Sequence, residues 1–192
     1  IGLPEELEAR VAPMAPYRRS KGEPLGLFAL TILNDPTSIP ALAVANMSST
    51  NMNARDYHAA EIGGGGGITN ARALAGMYEP LALGGGSLVD ADHLARMGRI
   101  SVATNDDASL RIATRFALGF MVSMDNRAKA EKDSVILGDA AFGHVGAGGS
   151  IGFADPALGL SMGYTMNRMG PGILLNERGQ SLVDATYAVL HG

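Results

Sequence analysis

The chain contains no cysteine. That rules out a disulfide framework and any metal or nucleophilic site built on thiolate, and it leaves the redox compartment open. Positive charge is scarce too: 15 Lys and Arg stand against 19 Asp and Glu, a net charge of −4. A nucleic-acid backbone is therefore not expected as the main partner, since phosphate binding calls for clustered cations. Long apolar runs are missing; the stretch from Leu27 to Leu33 falls far short of the ~20 residues that span a bilayer. The expectation is a soluble protein without a membrane span, with a cytoplasmic setting favoured. There is no initiator methionine either, and no succession of basic, apolar and small residues follows Ile1 as in a signal peptide. The chain is expected to begin mid-protein.

Glycine, by contrast, is abundant. At 26 of 192 residues it is nearly twice the usual share of about 7%, so close backbone approaches and sharp bends are expected. The length suits one medium domain, or two lobes sharing a core.

In chain order, residues 2–12 read as a short helix, with Pro4 in its first turn, Glu5 and Glu6 at the positive end of the dipole, and Pro13 and Pro16 stopping it. From Arg18 to Met52 the pattern is mostly loop. Leu27 to Leu33 can form two helical turns there, Ser38-Ile39-Pro40 signals a turn, and Ser48 to Asn53 is a polar loop. Gly63 to Gly67 suggests a phosphate loop, but no Lys-Ser or Lys-Thr follows and no apolar strand leads in. A bend before a Thr69-capped helix fits better, one that carries Leu74 and Tyr78 and ends at Gly84 to Gly86. Ser87 to Asp90 resembles a capping box opening a helix to about Arg99, and His93 on that helix reads as a surface or satisfied core residue. Thr104 to Ser109 reads as a polar loop, Arg115 to Ser123 as a strand, and Asn126 to Ser134 as a charged, solvated connector. A last helix starts at Asn176-Glu177, with Leu182, Val183, Thr186, Val189 and Leu190 as the stripe that lies on a sheet.

The most patterned stretch is Phe142 to Met169, which reads as a β-hairpin. Leu158, Leu160, Met162, Tyr164 and Met166 alternate with Gly159, Ser161, Gly163, Thr165 and Asn167, giving one apolar and one small face, and Asp155-Pro156-Ala157 supplies the turn. Ahead of it, His144 is followed by Val145, Gly146, Ala147, Gly148 and Gly149, backbone bare enough to lie against a ligand. Gly148 to Gly152 also matches G-x-S-x-G around Ser150, with Asp184 and His191 downstream. A nucleophile elbow needs a strand before the serine and a helix after it, whereas a strand pattern follows here, so Ser150 reads as sheet packing.

The block FGHVGAGGSIGFADPALGLSMGYTMNRM, together with GITNARALAGMY and IGLPEELEARVAP, closely resembles the class C β-lactamase-like serine hydrolases, including the family VIII carboxylesterases. The resemblance implies an α/β fold of the α+β type: an antiparallel sheet flanked by helices, with a mainly helical lobe. Residues 1–113 would hold helices and loops of that lobe, and 114–192 the C-terminal strands and their covering helix. It implies that His144-Val145-Gly146 is the strand motif of the site in its histidine-x-glycine form. The backbone N–H of Ala147 would complete an oxyanion hole, and Val145, Gly146 and Gly148 would line the substrate. No Ser-x-x-Lys and no Tyr-x-Asn occurs in the chain, so the nucleophile, its lysine and its tyrosine are expected before Ile1. The function implied is the C-terminal part of a carboxylesterase, with possible weak β-lactamase activity, working through an acyl-enzyme. Its partners would be a small ester or amide substrate and the missing N-terminal half; no cofactor or metal is implied. Histidine in place of lysine carries less fixed charge and favours neutral esters over anionic lactams. Two other readings stay open: a non-catalytic scaffold of the same fold, and a stand-alone hydrolase using Ser150.

Overall fold

Three glutamates in the first turn after Pro4 open a helix at Glu5–Arg10, but it winds as a tighter 3-10 helix rather than an α-helix. The computed structural model describes residues 1–47, 51–130 and 132–191; the expected polar loop at 48–53 thus lies partly outside the described residues, and so does the side chain of His191. Glu8 ties this first helix to a short helix α3 (Arg55–Ala59), pairing with Arg55 at 2.9 Å and lying 2.8 Å from Nδ1 of the buried His58.

Between them stand α1 (Leu27–Asn34), as expected, and α2 (Ile39–Asn46), which replaces the expected turn. Ser38 makes the difference. Its Oγ accepts from Ala41 N at 3.4 Å, and Pro40 sits in the first helical turn, where a missing N–H costs nothing. Helix α4 (Ala71–Ala82) is capped by Asn70, whose Oδ1 accepts from Ala73 N at 2.9 Å; Thr69 is not the cap. It ends at Leu83, and Gly84 follows with φ 94°. Helix α5 (Ala91–Gly98) starts later than the capping-box pattern at Ser87 implied, because Asp90 is itself the cap, accepting from His93 N at 2.8 Å.

From residue 102 the chain builds one antiparallel meander, six strands paired in chain order: β1 (Val102–Thr104), β2 (Thr114–Phe116), β3 (Met121–Val122), β4 (Phe142–Val145), β5 (Ile151–Asp155) and β6 (Leu160–Tyr164). β1 takes the start of the expected polar loop. The expected single strand at 115–123 is instead a hairpin: Gly119 adopts φ 82° and Ala117 N donates to Phe120 O at 2.8 Å, reversing the chain. The 126–134 connector is anchored rather than solvated at its start. Asn126 is fully buried, and its Nδ2 donates to Ala113 O and Asp133 O.

The β5–β6 hairpin forms in the expected place, with Ile151 opposite Tyr164 and Asp155 opposite Leu160. Leu158 falls in its turn, exposed, rather than on the strand. Leu160, Met162 and Tyr164 pack with Ile151, Phe153 and Val145 into the main core. On the opposite face the small residues make a seat for α4: a Cβ on Gly163 would stand 2.7 Å from Ala75 N, and one on Gly152 2.9 Å from Leu74 Cγ. Helix α6 (Glu177–His191) covers the core face. Its buried contacts come from Val183 and Tyr187, the latter donating to Asp155 Oδ2 at 2.8 Å and accepting from Gly138 N at 2.9 Å. Much of the expected stripe faces out instead: Val189 is 82% exposed, and Leu182 and Leu190 nearly half. With β6 these three line an open apolar groove of about 460 Å³.

Candidate active site

The turn between β4 and β5 is shaped by glycine. Val145 pairs with Ile151, Gly146 N donates to Ser150 O at 2.8 Å, and Gly149 N closes the turn onto Gly146 O at 2.9 Å. Gly148, third in the turn, has φ 90°, while Ala147 at the second position keeps φ negative. That is the type II pattern, which requires a residue tolerant of positive φ at its third position. Ala147 is thereby held exposed at the tip, and its N–H meets no acceptor among the described residues.

His144 lies two residues along β4 from Phe142, so both project to the α4 side of the sheet. Its side chain is exposed, its ring centroid 6.2 Å from that of Phe116, and its Nδ1 is 2.7 Å from Val145 O. In the neutral tautomer that makes this bond, Nδ1–H donates and Nε2 presents a lone pair to solvent. Val145 points the other way and is buried in the main core, so only its backbone faces the turn. Gly146 is half-buried with Ser150 Oγ packed against it. Gly148 is buried, and its carbonyl accepts from both Gly170 N (2.9 Å) and Asn176 Nδ2 (2.7 Å).

The residues anticipated around His144 are therefore brought together at the end of two interior strands, β4 and β5. Two further residues belong to the neighbourhood that sequence reasoning assigned no such role. Tyr78, read only as a helix-face residue, packs from α4 onto Gly152, opposite His144; burial pushes its phenol above the usual value, and the nearby His144 backbone works against that rise. Asn176 grips the turn from the start of α6, and no local pattern could indicate a partner 28 residues away. Beside the turn, Met169 and Gly170 form part of a cavity of about 600 Å³ that Tyr17, Arg18, Arg168 and Arg178 also line.

Ser150 has strand, not helix, after it, so the elbow geometry is absent. Asp184 is engaged by Gln180 Nε2 at 2.8 Å. Gly63 to Gly67 bends through a Gly66 N to Ile62 O bond of 2.8 Å well before α4 begins. His93 is exposed and bonds to Asp90, its own helix cap, at 2.8 Å. Among the described residues, no group of three or more His, Asp or Glu could hold a metal ion, and no single helix is long and apolar enough to cross a membrane.

The sequence profile of the family described as Beta-lactamase matches residues 9–185. The chain belongs to the beta-lactamase family. Its similarity to individual members agrees. The esterase/beta-lactamase LipL of Mycobacterium tuberculosis (strain ATCC 25618 / H37Rv) is 32% identical over an alignment of 117 residues that covers 57% of this chain and 24% of that protein. A solved family VIII carboxylesterase superposes with TM-score 0.68 and 33% identity over 98% of this chain and 46% of its own. EstA from Arthrobacter nitroguajacolicus Rue61a gives 0.76 and 28%, covering 100% and 49%. A penicillin-binding protein homologue from Caulobacter crescentus gives 0.72 and 29%, covering 98% and 47%. The antiparallel sheet with helices on its faces is thus the fold of the beta-lactamase family. The chain spans a quarter of the mycobacterial relative and just under half of each solved neighbour.

Proposed function

We propose that this chain is the C-terminal part of a serine hydrolase that cleaves esters through an acyl-enzyme. The nucleophilic serine, with its activating lysine and tyrosine, belongs to residues before Ile1. The observation that carries the reading is the β4–β5 turn, which holds a backbone N–H without an internal acceptor at an exposed tip, in a chain of this family. An N–H fixed before the substrate arrives stabilises the oxyanion of a tetrahedral intermediate without reorganising. His144 stands on the α4 side of the same strand, where its free Nε2 can hydrogen-bond a substrate or the upstream tyrosine. Its lack of a fixed charge suits neutral esters, which favours carboxylesterase over β-lactamase turnover.

The N-terminal half of the same protein is the partner this reading requires. Among the described residues β6 has no strand beyond it, and the groove it forms with α6 exposes Leu182, Val189 and Leu190. A free strand edge next to apolar surface is what an added strand covers, and the solved neighbours are about twice as long as this chain.

Turnover of p-nitrophenyl butyrate and nitrocefin by the full-length protein and by the 192 residues alone tests the proposal. Ester turnover by the full-length protein only is expected. Burst kinetics from the isolated chain would refute an upstream nucleophile, and a full reading frame without Ser-x-x-Lys would replace the enzyme with a scaffold of the same fold.

A further inference from the structure

We infer that Asn176 is a positioning residue for the oxyanion turn, resting on the ester-hydrolase reading above. As the residue before α6 it caps the helix: its carbonyl accepts from Gln180 N at 2.9 Å and its Oδ1 from Gly179 N at 3.4 Å. Capping alone does not call for asparagine, because Asp, Ser and Thr do the same work. What distinguishes Asn is the amide NH₂ left over, and here Nδ2 donates 2.7 Å to Gly148 O. The residue is 9% exposed, so the bond is shielded from competing water.

The local backbone is cleared to admit that amide. A Cβ on Gly149, which has φ 107°, or on Gly170 would run into the Asn176 side chain. Gly170 in turn donates its own N–H to Gly148 O at 2.9 Å, so one carbonyl is held by two donors from two different segments. Fixing the Gly148 carbonyl fixes the Gly148–Gly149 peptide plane, whose N–H donates to Gly146 O at 2.9 Å; that oxygen belongs to the Gly146–Ala147 plane, which carries the free Ala147 N–H. The amide thus transmits the rigidity of α6 to the turn tip. Misplacement of a reacting group by about 1 Å can cost on the order of 100-fold in rate.

The test uses the full-length protein with Asn176→Asp and Asn176→Ser, each keeping a capping oxygen and removing the donor. Expected for both are a fall in kcat of about 10- to 100-fold, KM within about threefold, and a matching loss of affinity for an alkyl phosphonate that mimics the tetrahedral intermediate. A residue that only stabilises the fold would lower the melting temperature and leave kcat of the folded protein and phosphonate affinity unchanged; that result, or unfolding of both variants, overturns the inference. Hydrogen exchange of the wild-type Asn176 side-chain amide gives a reading that needs no variant: slow exchange is expected, and solvent-like exchange contradicts the anchor. Wild-type protein that hydrolyses no ester refutes the functional reading instead, and the exchange measurement still decides whether Asn176 holds the turn.

Discussion

Replacing Ala147 with proline separates the chemistry of the turn from its folding. Ala147 occupies the second position of a type II turn, where proline is favoured, and its φ is not positive, as proline requires. The residue before it, Gly146, continues the strand ladder through its bond to Ser150 O and so tolerates the extended conformation that precedes a proline. No hydrogen bond inside the fold is lost, because the Ala147 N–H has no acceptor among the described residues. The expected stability change is therefore small and, if anything, favourable by about 0.4–1 kcal/mol through the unfolded chain. The loss falls on the transition state alone. Removing one oxyanion donor costs about 10²- to 10³-fold in kcat, on the order of 3 kcal/mol. Steady-state hydrolysis of p-nitrophenyl butyrate by the full-length protein, with a thermal melt on the same sample, measures both quantities. A folded Ala147→Pro protein whose kcat stays within threefold of wild type would refute the assignment of this N–H, and a melt lowered by many degrees would show that the turn is not type II.

Other consequences concern stability and charge. Gly163→Leu should destabilise the sheet by about 1–3 kcal/mol or more, since its side chain has nowhere to go beneath α4; an unchanged denaturant midpoint would show that α4 does not sit there. Tyr187→Phe leaves the buried Asp155 carboxylate and the Gly138 N–H short of a partner and should cost about 1–3 kcal/mol. The Tyr187 phenol, pushed well above its ordinary value first by burial, contributes stability that is fully present below pH ~10 and declines above it, so the alkaline limb of stability should flatten in this variant. Hydrogen bonds from Arg127 hold the exposed Asp125 carboxyl down at about 2, so any stability it adds is present above pH ~4 and lost as pH falls through the lower value; Arg127→Ala, which keeps the backbone donor, should raise it part of the way to the ordinary carboxylate range by NMR titration. The isolated chain should self-associate through the β6 edge and the groove beside α6, and a sharp, monomeric two-state melt by calorimetry would speak against that exposed surface being an interface.

Local rules carried the sequence reading where a residue's neighbours in the chain decide its conformation. The β5–β6 hairpin was legible because alternation with period two survives any tertiary context, and α6 because its length and composition suffice. Helix starts were less legible wherever two capping residues compete. Thr69 and Asn70 both qualify, as do Ser87 and Asp90, and the later one caps in each case. Ser38-Ile39-Pro40 reads equally as a turn or as a cap followed by a first-turn proline, and the Ser38 cap makes it the helix. At 115–123 the apolar run is continuous, and the positive φ of Gly119 that folds it into a hairpin leaves no trace in hydrophobicity. The faces of α6 were misjudged because Leu182, Val189 and Leu190 are as apolar as Val183, while the sheet takes Val183 and Tyr187. At the candidate site, His144 and the bare glycine backbone announce themselves, whereas Asn176 and Tyr78 reach the turn and β4 from helices distant in sequence. Only the folded chain brings those together.

The central claim, that this chain forms the oxyanion wall of a site whose nucleophile lies upstream, is tested most directly by labelling the full-length protein with a fluorophosphonate and locating the adduct by peptide mass spectrometry. One adduct is expected, on a serine that precedes Ile1, with its formation slowed by Ala147→Pro. An adduct on Ser150, or none on a protein that still hydrolyses esters, would contradict it.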